Sequence, residues 1–235
     1  MEKKNALNFL LYSYFGVTSD SDENELLRAA ANRAYQDAAS HVLGLSGSDA
    51  KEKDRLRNKG CDALETFLRK LPVEDYDKAH KALCDNLREI YSGSTTADRG
   101  FTYGIAQKWV NMTMKYIFVL STLIENEEFS MKYADQLPEK EMHIPLDSYM
   151  LEYIAQKDNK KFAASPCIKI PAKGMKTVET FYSSDKALAW SKYPDWDTYM
   201  KVQNGVRGKL RSCWESPLDW EGPAWIEVAK KRSNK

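Results

Sequence analysis

From about residue 101 to 126 the apolar residues Ile105, Trp109, Met112, Tyr116, Val119 and Leu123 recur at intervals that alternate between four and three. That spacing is the signature of one face of an α-helix. The stretch 105–124 is the longest apolar segment of the chain, yet Gln107, Lys108, Asn111 and Lys115 interrupt its first half and would be expensive in lipid. It reads as a buried central helix, and the remainder of the chain must supply its walls.

The first 92 residues read as four helices. MEKKNALNFLLYSYFGV has a charged start and a short apolar run, with no small-residue cleavage site and too few apolar residues to span a bilayer, so it reads as an amphipathic first helix. Ser and Asp at 19–22 can cap a second helix carrying Leu26, Leu27, Ala30, Ala34 and Ala38, ended by Gly44. The third carries Leu56, Ala63, Leu64, Phe67 and Leu68 and stops at Pro72. The fourth carries Tyr76, Ala79, Leu83, Leu87 and Ile90, before the loop SGSTTADRG. Residues 127–144 are polar and irregular, with room for one short helix, and a helix restarts near Asp147. Only SPCIKIPAKGMKTVETFY reads as extended, as a small hairpin or an ordered loop, because its Pro and Gly oppose a long strand. Tyr199, Val202, Val206 and Leu210 then mark a C-terminal helix, followed by PLDWEGPAWIEVAKKR.

Composition is that of an ordinary globular protein, with 43% hydrophobic and 29% charged residues. Cys61, Cys84, Cys167 and Cys213 are dispersed, without a CxxC pair or a histidine at metal-ligand spacing. They read as free thiols of a reducing, cytoplasmic protein rather than as a zinc site or a disulfide framework. The net charge of +1 hides a division: residues 1–150 carry 19 basic and 24 acidic side chains, and 151–235 carry 16 and 10. The second part attracts phosphates more than the first.

Two segments point to chemistry. Tyr103-Gly104-Ile105-Ala106-Gln107-Lys108-Trp109-Val110-Asn111 resembles the helix-hairpin-helix motif of DNA glycosylases, Leu-Pro-Gly-Val-Gly-x-Lys-Thr-Ala, often followed by Asn. Gly104, Ile105, Lys108 and Asn111 match, while Tyr103 replaces Pro and Ala106 replaces the second Gly. His143-Ile144-Pro145-Leu146-Asp147-Ser148-Tyr149 is similar to the family's Val-Pro-Val-Asp-Thr-His segment, and Asp147 falls on its catalytic aspartate.

The resemblance implies a mainly α fold of helix-hairpin-helix glycosylase type. No polar linker is long enough to separate folding units, so the chain reads as a helical core over 1–160 with a basic, Trp-rich C-terminal helical subdomain over 161–235 packed on it. The resemblance also implies cleavage of the N-glycosidic bond of a flipped base in double- or single-stranded DNA, with no metal or cofactor. The four closely spaced cysteines of the iron–sulfur branch are absent. Asp147 would stabilise the oxocarbenium-like sugar, since positive charge develops on the ring as the base leaves. Lys108 falls where bifunctional members carry the lysine that forms a Schiff base; on an apolar helix, desolvation favours its neutral amine.

Helix N-terminal amides near Gly104, Ala106 and Gln107 are the expected phosphate contacts, with Arg207, Lys209 and Arg211 adding a basic edge on the QNGVRGKLR helix, where Gln203, Arg207 and Arg211 share a face. Trp109, Asn111 and His143 are the expected pocket or wedge, because an extruded base needs planar surfaces; Trp190, Trp196, Trp214, Trp220 and Trp225 are further aromatic resources. The chief alternative is a non-enzymatic helical module that binds nucleic acid or a protein through its tryptophan-rich, basic C-terminal part. Under that reading Asp147 simply caps its helix and Lys108 only packs its stem.

Overall fold

The computed structural model of the chain describes residues 2–38, 50–92, 100–124, 126–133, 137, 140–155, 190–193, 195–210 and 216–234. Every regular element among them is helical: α1 (Lys3–Phe15), α2 (Glu23–Ala38), α3 (Ala50–Leu68), α4 (Tyr76–Ile90), α5 (Tyr103–Leu123), α6 (Glu127–Tyr133), α7 (Ser148–Ala155), a 3₁₀ turn (Trp190–Lys192), α8 (Trp196–Leu210) and α9 (Pro217–Ser233). None of the described helices is long and apolar enough to cross a membrane. Gly44 and the stretch SPCIKIPAKGMKTVETFY lie outside the described residues.

Local chemistry explains the boundaries. Gly16 takes the left-handed conformation (φ 77°) and its N–H closes α1 on Tyr12 O. Asp22 and Glu25 form a reciprocal capping box at the start of α2, at 2.9 and 3.2 Å. Asp75 accepts from the Lys78 N–H at the start of α4. The first helix departs from the amphipathic expectation: Leu11 is its buried residue, whereas Phe9, Leu10 and Tyr12 are exposed. Four of its apolar residues are consecutive, at 9, 10, 11 and 12, and consecutive positions on a helix cannot share one face.

The chain divides into two compact units, residues 1–101 with 109–138, and residues 102–108 with 139–235. Residues 139–155 cluster with the C-terminal elements, α7 packing against α9. Helix α5 supplies its first residues to the second unit and the rest to the first.

In the first unit α2 packs on α3 and α3 on α4. Trp109 is its fully buried centre: the indole N–H donates to Ala31 O at 2.9 Å, and Tyr35 meets the ring edge-on at 5.0 Å. A Cβ on Gly60 would fall 2.2 Å from that ring, so glycine is needed for the indole to approach α3 this closely. Asn111, also fully buried, accepts from His80 Nε2–H at 2.9 Å, and the Cys84 thiol lies 3.7 Å from His80 Nδ1.

Candidate functional site

The second unit brings together the two residues that carry the proposed chemistry. Lys108 is in the second turn of α5 and Asp147 immediately precedes α7, 39 positions later. Two buried glutamines close that distance. The Gln203 carboxamide on α8 accepts from Ile144 N–H and donates to Ile144 O, at 3.2 and 2.8 Å. On α5, Gln107 accepts from Leu146 N–H and donates to Leu146 O, at 3.4 and 3.1 Å, while also donating to Gly104 O at 2.9 Å. Each side chain thus satisfies both backbone groups of one residue, as a neighbouring strand would, and holds the irregular segment before Asp147 between two helices.

Asp147 is then oriented from both sides. Its Oδ1 accepts from the N–H groups of Tyr149 and Met150, both at 2.9 Å, which caps α7. Its Oδ2 accepts from the Trp225 indole N–H at 3.2 Å and lies 3.9 Å from Lys108 Nζ. The side chains of Lys108 and Asp147 are 12% and 11% exposed, enough to be reached from solvent while largely screened from it. Lys108 Nζ also sits over the Trp190 ring, 4.5 Å from its centroid, where the negative face of the indole attracts an ammonium. The amine is therefore not in purely apolar surroundings: a carboxylate and an aromatic face are its neighbours.

Helix α9 supplies the outer frame. Tyr149 stacks on Trp225 at 4.8 Å and 22°, and the Arg232 guanidinium lies 3.9 Å over the other aromatic partner, Tyr149. Arg232 also donates twice to Glu152 Oε2, at 2.6 and 2.9 Å, and to Ser148 O at 3.2 Å. Burial works against its charge, but the bond and charge of Glu152 outweigh that and raise its pKa above the ordinary arginine value.

Several expected site residues have other work. The Gly104 amide donates to Tyr193 O at 3.1 Å, Ile105 N–H to Thr102 Oγ1 at 3.2 Å, and Ala106 N–H to Thr102 O at 3.1 Å. The amides that would cradle a phosphate are thus already engaged. Gly104 is needed instead because the 190–193 segment crosses it: a Cβ there would lie 1.8 Å from Trp190 O. Ala106 and Gln107 are fully buried, and Gln107 positions the Asp147 segment rather than DNA. Trp109 and Asn111 are enclosed in the first unit, and a fully buried indole has no open face for a base.

His143 is fully buried in the second unit, its Nδ1 2.6 Å from Tyr199 Oη. Gln203 is buried too, so the face it shares with Arg207 is partly an interior one. Arg207 is half-buried and donates to Glu141 O. Arg211 and the Lys209 side chain lie outside the described residues.

Sequence reasoning placed Gln203 on a basic helix face but did not find its clasp on Ile144, the stacking role of Tyr149 or the donor role of Trp225. Glutamine pairing with backbone leaves no sequence signal, and Trp225 is one of 6 tryptophans that look alike until α9 is folded. Among the described residues no three His, Cys, Asp or Glu side chains converge to hold a metal ion. Comparison with known proteins finds no matching family model, curated protein or solved structure.

Proposed function

We propose that this chain is a DNA glycosylase of helix-hairpin-helix type, with Asp147 as its carboxylate and Lys108 as its amine nucleophile. The observation that carries the reading is the meeting of these two residues, 39 positions apart in sequence, at 3.9 Å beside Trp190 and Trp225. An amine that attacks the anomeric carbon must first lose a proton, and the Asp147 carboxylate is the adjoining acceptor. The departing base takes the electrons of its glycosidic bond and the proton that Asp147 accepted, and the recovered carboxylate charge opposes the positive charge on the sugar. The aromatic neighbours offer planar surface to an extruded base. Because the α5 amides are engaged, DNA is gripped chiefly through basic side chains of the C-terminal part.

The test is incubation of the purified protein with DNA carrying damaged, mismatched or modified bases, followed by alkaline cleavage at abasic sites, with Asp147→Asn alongside. The proposal expects abasic sites that disappear in the variant. Cleavage unchanged by Asp147→Asn, or no product on any DNA, overturns it; DNA retention without product favours the binding module.

A further inference from the structure

We infer that Trp225, on the C-terminal helix, is a positioning residue for the Asp147 carboxylate, so that α9 completes the site. For its catalytic consequence this rests on the glycosylase reading; the contact itself does not. Two observations support it. The indole N–H points at Oδ2, the oxygen that faces Lys108, while Oδ1 is already held by two backbone amides. A carboxylate fixed at one oxygen by its cap still needs its second oxygen held against the pull of a nearby ammonium, and a donor from another helix does this. The indole plane is in turn fixed by stacking on Tyr149, itself under the Arg232 guanidinium, which is tied to Glu152 and Ser148 at the start of α7. The chain of contacts runs from α9 to the reacting oxygen without a gap.

Trp225 is only partly buried. Trp109, by contrast, is fully buried and its N–H goes to a main-chain carbonyl. Here the N–H goes to a carboxylate that the proposed chemistry requires.

The test has two arms. In the first, the indole ¹H–¹⁵N signal of Trp225, assigned by its loss in Trp225→Phe, is followed in the intact chain and in Asp147→Asn. The inference expects this signal to move markedly when the charged acceptor becomes neutral, while a signal that stays in place overturns it. In the second, Trp225→Phe, which keeps a ring to stack on Tyr149, is assayed for base release after its melting curve has shown it folded, with Ile226→Ser as a neighbouring exposed control. The expected result is kcat lowered about tenfold, the scale of a lost hydrogen bond to a charged group, with KM unmoved. An unchanged kcat in Trp225→Phe overturns the inference. A shifted indole signal in a wild-type protein that releases no base from any DNA upholds the positioning contact and overturns only the glycosylase reading.

Discussion

Gly104 and Gly208 lie in helices for opposite reasons. At Gly104 the carbonyl of Trp190 occupies the place of a side chain, whereas nothing lies within 4 Å of a Cβ at Gly208. Gly104→Ala must displace backbone, and we expect a loss of about 1–3 kcal/mol; Gly208→Ala, exposed in α8, should gain about 0.5–1 kcal/mol from helix propensity. Urea unfolding of the two variants checks both signs. Sequence did mark Gly104 as a point of close approach, but the group that approaches is a carbonyl of the same chain rather than a phosphate, and nothing local announces a segment some 90 residues away.

Asp147 was legible both as a helix cap and as a candidate carboxylate, and it does cap α7 while facing Lys108. The thiol of Cys61 is buried and pushed up to about 11, chiefly by desolvation; it should resist alkylation at pH 8 in the native protein and react once urea unfolds the chain. Rapid native labelling of Cys61 would contradict its placement.

At the level of elements, periodicity and capping chemistry made α1 to α5 readable, along with α7 and α8, because each carries a helical stripe or a cap of its own. Helix α9 is harder to read in the sequence, for a physical reason. Gly222-Pro223 reads as a stop, and Pro223 does remove the N–H that would reach Asp219 O. The start signal was nonetheless present: Ser216 accepts from Asp219 N–H and Pro217 takes the first helical position.

Ties between elements are where acid should act. Glu23 in the first turn of α2 is raised by burial, but bonds from Lys132 Nζ (2.8 Å) and Tyr133 Oη (2.7 Å), with the charges of Lys132 and Arg69, outweigh that and leave its pKa below the ordinary 4.5. A depressed carboxylate stabilises the fold fully above its unfolded value and loses that contribution as pH falls through the lower folded one. Urea midpoints measured from pH 7 to 3 should therefore fall more steeply in the wild type than in Glu23→Gln. Parallel curves would show that the tie contributes nothing.

For the molecule as a whole, charge was the most legible property and pairing the least. The excess of basic residues after 150 predicts DNA affinity that drops steeply with salt, by orders of magnitude between about 50 and 200 mM if several phosphates are engaged; a salt-independent affinity would remove the basic part from the account. That Lys108 and Asp147 meet depended on Gln107 and Gln203 clasping Ile144 and Leu146, a tertiary arrangement with no one-dimensional trace.

Whether Lys108 acts on a DNA sugar beside Asp147 is decided by borohydride trapping on any DNA from which the protein is found to release a base, with the adduct located by peptide mass mapping. A covalent protein–DNA product is expected at Lys108, absent from Lys108→Met and strongly diminished in Asp147→Asn. An adduct on a different lysine, or undiminished base release by Lys108→Met, would contradict it.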